Sequence, residues 1–200
     1  MSDRIVIGIA GGSASGKSTL THGLTAALQD IPGIRPTPIP ADKYMFRDRE
    51  RGPSFVSPST GKVMFNANHP ESVNWGQLLI DLDALLQQAD GPNVIILEGL
   101  MVLQVAAVRE RLDLRLFVEL DADERALRRM LRDMSGVRGI ADPAGIATYY
   151  RECARVGHAQ YVEPSRVYAD LIVRGDADWE RLRPLLLAVI TDRLAHAPVR

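Results

Sequence analysis

Cysteine is all but missing from this sequence. Cys153 stands alone in 200 residues, which excludes an internal disulfide framework and any cysteine-built metal site. A thiol-sparing chain suits a reducing compartment, so the expected location is cytoplasmic. Lysine is scarce as well: Lys17, Lys43 and Lys62 are the only three, and arginine carries the remaining positive charge. No sign of charge dominates. Lys and Arg number 24 against 25 Asp and Glu, a formal net charge of −1, and such a balance argues against coating DNA or RNA. No apolar run reaches the roughly 18 residues of a membrane span. The opening Met-Ser-Asp-Arg-Ile-Val-Ile-Gly lacks the apolar region and small-residue cleavage site of a signal peptide. No nucleic-acid partner and no membrane partner are expected.

What is present is ordinary globular composition, 46 % hydrophobic and 24 % charged, in a length that fits one domain. Short apolar runs alternate with helical patterns. Ile5–Ala10, Asn93–Leu97, Leu114–Leu120 and Ala169–Arg174 read as buried strands. Thr19–Gln29, Trp75–Ala89, Asp123–Met134 and Asp178–Ala195 read as helices, with Pro184 in the first turns of the last or bending it. Strands separated by helices imply a parallel sheet of βαβ units. Pro36–Pro40 is a weaker strand candidate because of its prolines. Arg47–Pro70, with its glycines and prolines, reads as a long loop of the kind that forms lids or binding segments.

Gly11-Gly12-Ser13-Ala14-Ser15-Gly16-Lys17-Ser18 satisfies G-x-x-x-x-G-K-[ST] in full, after a strand and at the start of a helix. Glycines let backbone N–H groups converge on phosphate oxygens, and the helix N-terminus adds partial positive charge there. Lys17 suits the outer phosphates and Ser18 suits Mg2+; Thr19 follows in the same turn. A GTPase would need an Asn-Lys-x-Asp guanine motif, and the chain has no Asn-Lys pair. A small-molecule kinase is the simplest fit.

Acceptor chemistry needs a base. Asp42 follows the Pro36–Pro40 strand, where a carboxylate could take a proton from a hydroxyl. Glu98 ends the Val94–Leu97 run and could hold a magnesium-bound water. Arg125, Arg128, Arg129 and Arg132 recur at i, i+3, i+4 and i+7 on one helix face, with Arg138 beyond, and only Asp133 opposes them. Beside a phosphate loop such arginines can close over a triphosphate. His22, His158 and His196 show no metal spacing and read as surface or packing residues; Tyr149, Tyr150 and Tyr161 read as core.

Seven ordered segments resemble the uridine kinase and phosphoribulokinase family of P-loop kinases, most closely its uridine kinase branch. They are Gly8–Ser18, Asp42-Lys-Tyr44, Asn68-His-Pro-Glu-Ser72, Val94–Gly99, Phe117–Asp123, Arg128–Asp133 and Glu163–Asp170. The resemblance implies an α/β three-layer P-loop NTPase sandwich: a five-stranded parallel sheet flanked by helices, with a helical lid over about 125–160. It implies ATP and Mg2+ as cofactors and a nucleoside as the default acceptor. It implies that Asp42 is the general base, that Ser18 and Glu98 hold Mg2+, and that Arg129, Arg132 and Arg138 contact phosphates. Tyr44, Asn68 and His69 would line the acceptor pocket. Homodimers or homotetramers are the family's assemblies.

Three departures bear on the acceptor. Asn68 stands where uridine kinases carry the Asp that accepts from ribose hydroxyls, and an amide offers one acceptor oxygen where a carboxylate offers two. One helix fills Trp75–Asn93, where the family places a hairpin that frames the base. Arg138-Gly139 is followed by Ile140, so the lid lacks Arg-Gly-Arg. Acceptor contacts are therefore expected from 47–66, with Arg47, Arg49, Arg51 and Phe55 reaching inward, and the substrate is expected to be smaller than, or shaped unlike, a pyrimidine nucleoside. The rival readings are a kinase for a sugar, polyol or vitamin-like alcohol, and a non-catalytic ATP-binding regulator. Asp42 beside a complete phosphate loop favours the enzyme.

Overall fold

The computed structural model describes residues 4–46, 51–136 and 142–197. In chain order the elements are β1 (Ile5–Gly11), α1 (Lys17–Gln29), β2 (Pro36–Pro40), β3 (Ser54–Val56), β4 (Val63–Phe65), α2 (Trp75–Gln87), β5 (Val94–Glu98), α3 (Ala106–Arg109), β6 (Leu114–Glu119), α4 (Ala122–Met134), α5 (Pro143–Tyr149), α6 (Arg155–Gly157), β7 (Leu171–Arg174) and α7 (Trp179–Ala195). Five strands form one sheet in the order β2-β5-β1-β6-β7; its parallel pairing is the one expected from the alternating pattern, and its five strands are those the resemblance implies.

The near-continuous apolar strands follow from burial on both faces. From β1, Ile5, Ile7 and Ile9 join Leu20, Leu24 and Leu28 of α1 and Leu186 and Ile190 of α7. Val6 and Ala10 point the other way, toward Leu78 and Leu82 of α2 and Val102 and Val108. Two cores thus sandwich the sheet. β1 sits at its centre, between β5 and β6, where the chain's winding reverses. Ligands of open parallel sheets bind outside the carboxyl ends at such a point.

β2 survives its prolines because it is an edge strand. Pro36, Pro38 and Pro40 recur with period two, so all three missing N–H groups fall on the edge that β5 does not use. Pro184 lies within α7, which continues past it to Ala195.

The 47–70 segment differs from the expected loop. Its described part carries an antiparallel hairpin, β3 on β4, with Ser54 opposite Phe65. Strands of three residues are too short for periodicity to show, and the pairing is held from outside. Ser57 Oγ and Ser59 N–H, beyond β3, donate to Glu152 at 2.6 and 3.2 Å, and the Phe55 ring meets Tyr149 edge-on at 6.0 Å. Glu152 and Tyr149 belong to a helical run from Pro143 to Tyr168 that includes π-helical turns at Tyr150–Ala154 and His158–Val162.

Leu28 is fully buried between α1 and the sheet. Leu28→Ala is expected to cost about 2–5 kcal/mol through lost burial and the cavity left behind. Urea unfolding reads that loss. The KM for ATP should stay unchanged, because Leu28 lies about 16 Å along the helix from Lys17.

Candidate active site

The site begins with a turn that ordinary residues avoid. Gly16 caps α1 at φ 100°, and Ala14 holds φ 63°. Glycine removes the steric cost at the first position. No side chain caps the first turn of α1, and it contains no acidic residue. Its N–H groups are therefore left for an anion. Lys17 is buried, with Nζ donating to the Gly12 carbonyl at 2.8 Å.

Parallel register brings the carboxylates alongside. Ile9 of β1 pairs with Glu98 of β5, and Glu98 pairs with Pro40 of β2. Ser18 Oγ donates to Glu98 Oε1 at 3.1 Å. Asp42 follows β2 in a 3₁₀ turn, Ala41–Tyr44. A cavity of about 300 Å³ is lined by Lys17, Ser18, Asp42, Asn68, Glu98 and Arg132, together with Met45, Ala67, Leu100, Arg128 and Arg129. A second cavity of about 410 Å³ opens on the other flank of the loop, between Thr19, Gly175 and Trp179.

α4 roofs the loop with its charged side. Arg125, Arg129 and Asp133 are buried, whereas Leu127 and Leu131 are 63 and 71 % exposed. This reverses the usual amphipathic helix, because the arginines face the phosphate loop and not water. Arg129 Nη1 donates to Ser13 Oγ at 3.1 Å, and its Nε lies 3.3 Å from Asp133. Arg132 Nε donates to Asp133 at 2.9 Å, so one buried carboxylate orients two arginines. Arg128 pairs with Glu124 at 2.7 Å and reaches the Gly175 carbonyl at 3.3 Å.

The positive field is felt locally. Burial pushes the Lys17 ammonium down to about 8, against the pull of Glu98 and Asp42, and Arg132 and Arg125 add to the lowering. Burial, then Arg125 and Lys17, hold His158 down to about 4, so it is neutral at pH 7.

Several expected residues sit elsewhere. Tyr44 donates its hydroxyl to Asp81 of α2 at 2.8 Å and packs on the α2-side core; it does not line the cavity. Burial and that bond push its pKa up to about 12. His69 stacks edge-on against Tyr161 and is outside the cavity lining too. Phe55 meets Tyr149, and neither it nor Arg51 lines the cavity. Arg47, Arg49 and Arg138 lie outside the described residues. Tyr149, read as core, is half-buried behind the cavity wall, with Arg129 5.5 Å above its ring and its hydroxyl 3.5 Å from the Asn68 amide. No sequence signal marked its contact with Asn68, which lies 81 positions away.

A strand, a left-handed glycine turn, a helix bearing Lys-Ser, an adjacent strand ending in a carboxylate and an arginine roof together define a P-loop kinase. The chain matches the phosphoribulokinase / uridine kinase family over residues 81–178. It is 34 % identical over 189 residues to the uridine kinase of Deinococcus deserti, covering 84 % of this chain and 86 % of that one. Its fold is shared with a kinase of Silicibacter sp. TM1040 named for a fructose transport system (TM-score 0.67, 21 % identity, 86 and 91 % coverage). It is also shared with a protein of Bacillus stearothermophilus named as a possible uridine kinase (TM-score 0.58, 17 % identity, 86 and 89 %). The chain belongs to the phosphoribulokinase / uridine kinase family and is an ATP-dependent, uridine kinase-like small-molecule kinase. Among the described residues no helix is long and apolar enough to cross a membrane.

The donor set fits the cofactors of such kinases. Ser18 Oγ and Glu98 Oε1 lie 3.1 Å apart and offer two hard oxygen atoms beside the phosphate loop. Mg2+ suits this arrangement, since it is bound by one or two carboxylates together with substrate phosphates.

With the Lys17 pKa near 8, the free enzyme loses that charge as pH rises above 8. A bound triphosphate restores the charge, so binding takes up a proton there. The Kd for a non-hydrolysable ATP analogue with Mg2+ should rise above pH 8, by up to about tenfold per unit. Calorimetric titration from pH 6.5 to 9.5 checks this, and Lys17→Met should remove the slope. A flat wild-type profile contradicts it.

Proposed function

We propose that the chain transfers the terminal phosphoryl group of ATP to a hydroxyl of a small sugar- or polyol-like alcohol. Lys17 and the backbone of Gly11–Thr19 hold the outer phosphates, with Arg129 and Arg132 above them. The adenine base lodges in the second cavity, under Arg128, against Gly175 and Trp179. Ser18 and Glu98 would hold Mg2+, which would offset phosphate charge during transfer. Asp42 takes the proton from the acceptor hydroxyl as its oxygen bonds to phosphorus and the bridging P–O bond to ADP breaks.

The observation that carries the acceptor reading is the composition of the cavity wall. Beside Asp42 it is made of Met45, Ala67, Asn68 and Leu100, with no aromatic ring among the described lining residues. None of these described residues offers a pyrimidine an aromatic stacking partner. A site that selects a base needs buried polar partners that the wrong ligand leaves unpaired. The second reading is uridine itself, favoured by the uridine kinase relatives.

Steady-state kinetics with uridine, cytidine, D-ribose, D-fructose and ribitol decide between the two. The expected outcome is a higher kcat/KM for a sugar or polyol than for either nucleoside. A value for uridine of about 10⁴ M⁻¹s⁻¹ or more, with the others far below, restores the nucleoside reading. Asp42→Asn should lower kcat by about 10²–10⁴ while leaving ATP affinity unchanged. A kcat within about threefold of wild type, far below that range, removes Asp42 as the base.

A further inference from the structure

Asn68 is 4 % exposed and forms part of the cavity wall. Its Nδ2 donates to the Tyr149 hydroxyl and to Cys153 Sγ, both at 3.5 Å. Which end of a carboxamide faces which neighbour is normally a matter of assignment. Here the backbone decides it. The Tyr149 hydroxyl donates to the Phe65 carbonyl at 3.1 Å and accepts from the Ala67 N–H at 3.2 Å. A carbonyl can only accept, so the phenolic proton is committed to Phe65. Asn66 Oδ1 accepts from the Asn68 backbone N–H at 3.0 Å, which identifies that atom as oxygen. Cys153 Sγ donates to the same oxygen at 3.1 Å, so the thiol proton is committed too. Tyr149 and Cys153 can then offer Asn68 only lone pairs, and only its NH₂ can face them.

We propose that Tyr149 and Cys153 are positioning residues that fix the Asn68 carboxamide with its carbonyl oxygen toward the acceptor. The oxygen is a neutral acceptor, so it takes a hydroxyl proton from the substrate and turns away groups that carry only lone pairs, such as an ether or a carboxylate. The substrate class is narrowed to neutral alcohols with a second hydroxyl near the reacting one. This rests on the acceptor reading above. It also accounts for the amide: an ionised aspartate at 68 would face two atoms whose protons are spent elsewhere. The lid secures the same residue from behind, because Gly157 packs on the Asn68 backbone carbonyl and any Cβ there would collide with it.

The test is Asn68→Asp, followed by urea unfolding between pH 5 and pH 8 beside wild type and Asn68→Ala. Buried, facing two atoms whose protons are spent, and sharing the cavity with Asp42 and Glu98, the new carboxyl should have a folded-state pKa raised above its unfolded value, against the pull of Lys17, Arg128, Arg129 and Arg132 across the same cavity. It contributes while protonated, when it can donate to Tyr149, and that contribution is lost as pH rises. The gap between Asn68→Asp and wild type should therefore widen from pH 5 to pH 8, while the Asn68→Ala gap stays flat. Adding Tyr149→Phe should shrink the widening. A gap independent of pH overturns the proposal. This arm needs no acceptor, so it stands or falls separately from the substrate reading. Should Asn68→Asp not fold at either pH, Tyr149→Phe/Cys153→Ala decides. With the amide released, the KM for D-ribose or uridine, whichever the wild type phosphorylates, should rise about three- to tenfold, the worth of one hydrogen bond. kcat should change far less than this KM, since Phe keeps the ring beneath Arg129. An unchanged acceptor KM overturns the assignment.

Discussion

A strand can pass into a helix across Gly11–Lys17 only through backbone that L-residues avoid, and the functional end of this protein depends on that passage. The left-handed positions at Ala14 and Gly16 leave the first turn of α1 without a cap or an acidic side chain. The result is a concentration of unsatisfied N–H groups beside a buried ammonium. The charge of the site is moderated from within. Glu98 and Asp42 pull against the burial of Lys17, and Asp133 anchors Arg129 and Arg132. The same imbalance makes it a receptor for a polyanion.

The structure joins the two halves of the reaction through one helical run. Tyr149, at the end of α5, touches Arg129 on one side and Asn68 on the other, while Glu152 holds the Ser57–Ser59 turn of the hairpin. Arg129 in turn reaches Ser13 in the phosphate loop. The phosphate loop and the cavity wall at Asn68 therefore share a contiguous set of hydrogen bonds and ring contacts.

What could be read from the sequence was contiguous or periodic. The Gly11–Ser18 loop is a single segment, the apolar strands are uninterrupted, and Arg125–Arg132 repeat at helical spacing. The parallel sheet and the arginine-faced helix follow from these. The acceptor wall was hidden, because Asn68 meets Tyr149 and Cys153 across 81 and 85 positions. The bond of Tyr44 was hidden for a related reason: its motif fixes the backbone turn, whereas Asp81, 37 positions on, decides where its hydroxyl goes. The hairpin was invisible because three-residue strands carry no period and owe their order to Glu152.

The prolines of β2 act beyond the sheet they border. A strand that offers no N–H along its free edge cannot template a neighbour, since an added strand would find carbonyls with no donors between them. That flank is closed to edge-to-edge aggregation by its covalent structure alone, without a covering helix or a charged guard, and it stays closed in any partly unfolded state that keeps β2 on β5.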